Sequence, residues 1–447
     1  MLPWFSLITF LTRIPFINWF TAERTDSIIL ITLFKNKSSY WPPLYTSLLY
    51  LFNPLFREPI ISGRFVSILS SALAIIPLYL LSEKFFGKVT ARYTSLLYIF
   101  SPLIFRFNIK VLTDSLFLLF FISTLYLYFL SLEKRKGLSL FLFSFFSGLS
   151  VLTRYEGFVF FPFLIFLLLR KNIKKVPLLS GTVTWLPLIL WIYYRGFGHV
   201  SQYGERWAGM NIREFLLWGE SFIISFAYVL TWPVFLFSLY TIFHLSHEEK
   251  RRRFTFLTLL LFLLWLPPHI LFHSFQIRYF LPLLPLFLIL AGEGINKVKS
   301  SSLWMVLCLI FSLALTFLSL IYQRDTFGDI RRTAEWVREN FKKQCVYSDE
   351  YWKTQFWSGK EIKKWERKGE KGDILILHSG YSNLREEIEY LKKNYHFSLL
   401  YRTHSRILPL LPDIINPPFL SNSPYWMIKK YTFQKFQSMV VRIEDRK

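Results

Sequence analysis

Residues 2–20 read LPWFSLITFLTRIPFINWF and residues 21–45 read TAERTDSIILITLFKNKSSYWPPLY: an apolar run, then a stretch punctuated by charge. A helix needs about 20 largely apolar residues to cross a bilayer, and the first run meets that length. Arg13 sits inside it and no small-residue cleavage site follows, so it reads as a retained span rather than a signal peptide. Asp26 lies just beyond, where a first span would leave the hydrocarbon. An ionisable group at that boundary either faces a cavity or partner or is a solvated loop acid.

Composition points the same way. With 53% hydrophobic residues, 49 Phe, 15 Trp and a mean hydropathy of +0.34, the chain carries more apolar surface than one soluble core can hide, and it reads as a polytopic membrane protein. A net charge of +24 would suit nucleic acid, but Lys and Arg fall in short clusters between apolar runs, the pattern of the positive-inside rule. No nucleic-acid partner is therefore expected. Cys308 and Cys345 form no disulfide or zinc framework.

Eleven apolar runs are counted, at about 2–20, 62–82, 89–106, 112–131, 138–153, 157–169, 176–194, 215–244, 254–272, 279–294 and 303–322. The basic clusters at Lys84/Lys88, 134–136, 170–175, 250–253 and Lys297/Lys299 are separated by pairs of runs, which puts them all on one face. That face is cytoplasmic by the positive-inside rule, so the N-terminus is inside and everything after the eleventh run is extracytoplasmic. The pair 138–169 is short for two crossings, which places the turn Arg154-Tyr155-Glu156 below the outer surface. Charges at that depth require surrounding protein or a water-filled cavity.

From residue 323 the long apolar runs stop. The spacing predicts helices over 329–343 and 384–394 and strands over 344–347, 374–377, 397–401 and 438–443, with a proline-rich loop at 414–425. The expected organisation is a helical membrane domain over 1–322 and a small α/β domain over 323–447.

Several pieces in order resemble a known family. Thr12-Arg13-Ile14-Pro15, Glu23-Arg24-Thr25-Asp26 and Tyr40-Trp41-Pro42-Pro43-Leu44-Tyr45 look like the first outer loop of the GT-C fold glycosyltransferases. Gly63-Arg64-Phe65, Ser101-Pro102, Leu112-Thr113-Asp114-Ser115-Leu116, Leu152-Thr153-Arg154 and Arg278-Tyr279 with Pro282 and Pro285 follow in the matching order. The likeness spans about residues 10–295 and is nearest the protein O-mannosyltransferases and lipid A aminoarabinose transferases. This chain has Asp26-Ser27 where the family often has Asp-Glu, and Tyr40 where it has His. It lacks a Trp-Trp-Asp signature, which argues against an oligosaccharyltransferase.

The resemblance implies a sugar carried on a polyprenyl phosphate and moved, at the outer face, to a protein, lipid or glycan acceptor. Such a displacement needs a base near the acceptor, for which Asp26 is the candidate, and positive charge on the departing phosphate. Arg278, Arg154, Lys110 and Arg106 all fall near outer ends of spans and are the candidates for that role. Asp114 either orients the base or acceptor, holds a metal, or caps its helix beside Thr113 and Ser115. Tyr40, Trp41, Pro42, Tyr45, Arg64, Glu156 and Tyr279 are assigned to the substrate groove, although outer aromatics also serve as interfacial belts, Arg278 could snorkel, and Arg154 could simply pair with Glu156. His269 and His273, four apart, could hold a divalent metal, but a helical pair without a third ligand is usually structural. No cofactor is required. A flippase of the lipid-linked sugar is the alternative of another class and predicts repeats in matching halves, which are not visible. An anchor presenting a binding domain would not need Asp114 and Arg154 within its spans.

Overall fold

The computed structural model describes residues 2–21, 25–36, 42–134, 137–170, 173–195, 223, 226–227, 229–244, 248–271, 277–325, 328–342, 344–379, 384–407 and 434–447. The chain separates into two compact units: Met1–Ile17, Ser39–Leu318 and Leu411–Met427 form one, and Asn18–Ser38, Ser319–Leu410 and Ile428–Lys447 form the other. Helices are numbered along the chain, α1 (Leu2–Arg13) opening the first unit and α2 (Thr25–Asn36) belonging to the second.

The first unit continues with α3 (Leu44–Phe56), α4 (Pro59–Phe86), α5 (Lys88–Phe100), α6 (Pro102–Asn108), α7 (Asp114–Lys134), α8 (Gly137–Thr153) and α9 (Phe161–Leu169). Then follow α10 (Lys175–Gly181), α11 (Leu186–Arg195), α12 (Trp232–Phe243), α13 (Glu249–Leu271) and α14 (Leu284–Lys297), and α15 (Ser301–Gln323) leads toward the second unit. Three stretches among the described residues are long and apolar enough to cross a membrane, Pro59–Phe86, Asp114–Glu133 and Ser301–Ile321. At a rise of ~1.5 Å per residue, the 28 residues of α4 extend about 42 Å. Shorter apolar helices at Leu2–Phe16, Gly137–Thr153, Tyr155–Leu169 and Trp232–Phe243 accompany them.

Prolines account for several breaks within the expected spans. The run 89–106 divides into α5 and α6 because Ser101 is extended and Pro102 opens the next helix, having no N–H to continue the first. Pro162 and Pro285 likewise stand in the first turns of α9 and α14, each preceded by a 3-10 segment, at Tyr155–Phe160 and Ile277–Phe280. α4 is the hub of the unit, packing against α1, α3, α5 and α7, while α7 lies along α8 and α12 along α14. Arg13, fully buried, closes the ends of two helices: its guanidinium donates to Thr9 O (3.0 Å) and Ile99 O (3.2 Å). A cation at helix C-termini is where the macrodipole favours one.

The second unit is built on a five-stranded sheet in the order β2-β1-β3-β5-β4, from β1 (Val346–Ser348), β2 (Lys363–Lys364), β3 (Ile374–His378), β4 (Tyr395–Ile407) and β5 (Gln434–Arg446). β1 is parallel to β2 and β3, whereas β5 runs antiparallel to β3 and β4. The central strand ILILH is buried at every position, as a strand covered on both faces must be. α16 (Gly328–Asn340) buries Ile330, Thr333, Ala334 and Val337, the i, i+3, i+4, i+7 stripe of an amphipathic helix. α17 (Tyr351–Ser358) follows β1, and α18 (Leu384–Asn394) carries Glu386 and Glu387 in its first turn and Lys392 and Lys393 in its last, the order its dipole prefers. The expected loop at 414–425 lies outside the described residues.

Part of the segment between α1 and α3 goes with the sheet rather than with the helices that precede and follow it in sequence. α2 packs on α17, burying Ser27, Ile28, Leu30 and Ile31. Thr21 N donates to Arg324 O (3.1 Å), Trp19 Nε1 to Leu320 O (2.9 Å), and Arg331 Nη1 to Thr21 O (2.7 Å). The division expected at 322/323 therefore omits residues 18–38 from the α/β unit.

Candidate active site

Asp114 opens α7, and the segment ahead of it is pinned from several sides. Tyr45 donates its hydroxyl to Gly63 O (2.8 Å) and lies 3.0 Å from Ser67 Oγ, which in turn donates to Leu112 O (3.2 Å). Ser115 donates to Asn108 Oδ1 (2.8 Å), and Asn108 Nδ2 donates to Ser71 Oγ. Gly63 allows α4 to come this close, since a Cβ there would stand 2.6 Å from Val111 Cγ1. The Asp114 carboxylate is thus fixed at a helix N-terminus, where a negative charge is favoured.

Two arginines from distant elements meet it. Arg154, in extended backbone just after α8, places Nη1 2.5 Å from Asp114 Oδ1 and Nη2 2.5 Å from Glu156 Oε1. Arg278, from the 3-10 segment before α14, approaches Asp114 Oδ2 with Nη1 at 3.9 Å. The Arg154, Asp114 and Arg278 side chains are only 2–3% exposed, and Glu156, at 25%, forms the open edge. Tyr279 presents its ring to both guanidiniums, with the Arg154 and Arg278 carbons 5.5 and 5.6 Å from the centroid. Phe117 lies under Arg154 at 5.8 Å, and Trp265 holds the Tyr279 carbonyl through a 2.8 Å hydrogen bond. Burying charges is tolerable only with such partners, and aromatic faces add a cation–π contribution of about 0.5–2 kcal/mol each. The short hairpin 138–169 implied that Arg154 lies within protein, and it does.

The other expected residues are placed as follows. Arg106 and Lys110 are buried on the segment ahead of Asp114 and flank the Phe107 ring at 5.2 and 5.7 Å. Tyr45 is fully enclosed, its hydroxyl on Gly63 O at 2.8 Å, and Arg64, also buried, donates to Ile17 O at 2.6 Å. Pro42 is buried. Asp26 is the second residue of α2, in the other unit, and its side chain lies outside the described residues, as do Tyr40, Trp41, His273 and the side chain of His269. Among the described residues no group of three His, Cys, Asp or Glu is placed to hold a metal.

Glu293 escaped the sequence reading. It is 3% exposed within the run 279–294, accepts from Thr90 Oγ1 (2.8 Å) and pairs with Arg251 Nη1 (3.1 Å). An acid inside an apolar run was the signal that marked it.

Two guanidiniums held by a buried carboxylate and bordered by a partly open edge can receive a phosphate ester and stabilise negative charge developing on it. With a helical unit of this kind and a small sheet unit, the fold is that of the GT-C membrane glycosyltransferases, and the chain is an integral membrane protein. In particular it matches ArnT from Cupriavidus metallidurans bound to undecaprenyl phosphate, with a TM-score of 0.61 at 10% identity over 89% of this chain and 94% of that one. ArnT in the apo state matches with 0.59 at 10% identity, over 88% and 96%. In sequence, residues 41–194 match the family described as dolichyl-phosphate-mannose-protein mannosyltransferase. No curated protein matches the chain in sequence.

Proposed function

We propose that the chain is a glycosyltransferase that moves a sugar from a polyprenyl-phosphate-linked donor to a protein, lipid or glycan acceptor on the outer face of the membrane. The observation that carries this reading is the buried cluster of Asp114, Arg154 and Arg278, in a chain whose fold matches an enzyme solved with undecaprenyl phosphate. The acceptor hydroxyl or amine attacks the anomeric carbon as the bond to the phosphate oxygen breaks, and its proton passes to a base. Asp26 is assigned as that base on its place in the family-like segment 23–45. Arg278 takes the departing phosphate, with Arg154, Lys110 and Arg106 supplying further positive charge, and Asp114 orients the two arginines. The N-terminus is cytoplasmic, the chain crosses eleven times, and the α/β unit faces outward and selects the acceptor.

The test is release of polyprenyl phosphate from a polyprenyl-phosphate sugar in purified membranes. Asp26→Asn should slow transfer by about 10²–10⁴-fold, the span of general-base contributions, with donor binding retained. Transfer at the wild-type rate would remove Asp26 from the role. Movement of the lipid without cleavage would mean a flippase instead.

A further inference from the structure

We propose that Glu156 is an intramolecular stand-in for the donor's phosphate, occupying one edge of the Arg154 guanidinium until the donor displaces it; this rests on the function proposed above. Arg154 directs Nε (3.2 Å) and Nη2 (2.5 Å) to the same oxygen, Glu156 Oε1. That is the edge on which a guanidinium receives a carboxylate or phosphate side-on. Its other edge, through Nη1, is committed to Asp114.

The two carboxylates differ in what it takes to move them. Asp114 is 2% exposed and touches both arginines, so withdrawing it would leave buried cations uncompensated. Glu156 is 25% exposed and stands between Tyr155 and Phe158, which are 37% and 40% exposed, so its carboxylate can rotate outward. The backbone beneath it does not need to follow. Gly157 sits so close to α8 that a Cβ would lie 2.6 Å from Val151 N, and its own N–H is held by Arg154 O (3.0 Å).

Charge balance favours an exchange. Among the described contacts, Arg154 and Arg278 face Asp114 and Glu156, two charges of each sign. A phosphodiester donor carries one negative charge, so replacing Glu156 with the donor phosphate leaves the charge beside Arg154 unchanged. Cleavage turns the diester into a monoester whose second pKa is near 6, and a further negative charge accumulates. Return of Glu156 to Arg154 then competes with the product and speeds its release. Glu156 therefore weakens donor and product binding in exchange for turnover, as any state that must be vacated before binding does.

The experiment compares undecaprenyl phosphate with undecaprenol binding to the purified full chain in nanodiscs, for wild type, Glu156→Gln and Glu156→Asp. Glu156→Gln should bind the phosphate about tenfold more tightly, with undecaprenol unchanged. In steady state the donor KM and kcat should both fall, the latter through slow product release. Glu156→Asp keeps the charge but is a methylene shorter; it should tighten phosphate binding by a smaller factor, whereas simple repulsion at a distance would leave it like wild type. Phosphate binding that is unchanged or weaker in both variants overturns the stand-in role. Wild type and variants that all fail to prefer the phosphate over the alcohol overturn the function itself.

Discussion

Two buried acid-centred clusters, one in each unit, make an instructive pair. In the helical unit Asp114 faces two arginines, one at 2.5 Å and one at 3.9 Å, stacked on the rings of Phe117 and Tyr279 beside a partly exposed Glu156. In the α/β unit Asp329 lies 2.7 Å from His378 Nε2 and accepts the Ser438 hydroxyl at 2.8 Å. By residue type the second set looks more like catalytic machinery. Its geometry says otherwise: a nucleophilic serine needs its hydroxyl on the imidazole, and here it bonds the carboxylate. All three residues are at most 1% exposed. The set joins α16 to β3 and β5 as a polar strut, while the arginine cluster holds charge that a ligand can exchange for. What separates site from strut is an open edge, not the list of side chains.

The strongest way to break this contrast is Arg278→Ala. It should lower kcat/KM by about 2–4 kcal/mol, as removal of one charge-stabilising group from a water-poor site does, and weaken donor binding, since the phosphate is charged before and after cleavage. Lys should rescue only in part, lacking the planar fork. Donor affinity measured beside steady-state transfer checks this; unchanged donor affinity would shift the phosphate role to Arg154.

Asp329→Ala sharpens the contrast from the other side. Removing the carboxylate that accepts the Ser438 hydroxyl and lies 2.7 Å from His378 Nε2 should reduce stability by about 1–3 kcal/mol, the cost of stranding buried polar groups, and leave undecaprenyl phosphate binding within twofold of wild type. Thermal unfolding and lipid binding on the same sample decide it. A binding loss larger than the stability loss would make the cluster more than a strut.

The smallest expected effect concerns the frame around Asp114. Gly63→Ala places a methyl against Val111 and should cost about 1 kcal/mol as a modest overpacking, with transfer falling as the segment before Asp114 shifts. Val111→Ala in the same chain should restore most of it. If the double variant is no better than the single, the close approach of α4 to Val111 is not what positions Asp114.

Much of the architecture was legible in sequence because its causes are local. The strand 374–377 is observed as β3 (Ile374–His378), and the helix 384–394 as α18. Period and burial are set within a few residues. Span boundaries were less legible wherever a proline interrupts an apolar run, because hydropathy averages over the break that Pro102 and Pro162 make in the helix ladder. Asp114, Arg154 and Arg278 could be picked out because a charge inside an apolar context needs a reason to be there. Tyr45 and Arg64 were assigned to a groove on their place in a family-like order, since nothing local in the sequence says how far each is buried; both are buried here.

The sequence alone therefore determined that the chain is built for a membrane and which of Asp114, Arg154 and Arg278 stand out near apolar runs, since these follow from hydropathy and length; it did not show the helices at Thr25–Asn36, Leu44–Phe56 and Tyr351–Ser358 or single out Glu293. Only the tertiary structure decided that Arg154 reaches Asp114, that Arg278 reaches the same carboxylate, and that α2 packs with the α/β unit. Pairing within a few ångströms between residues 40 and more positions apart is a product of packing, and no local pattern encodes it.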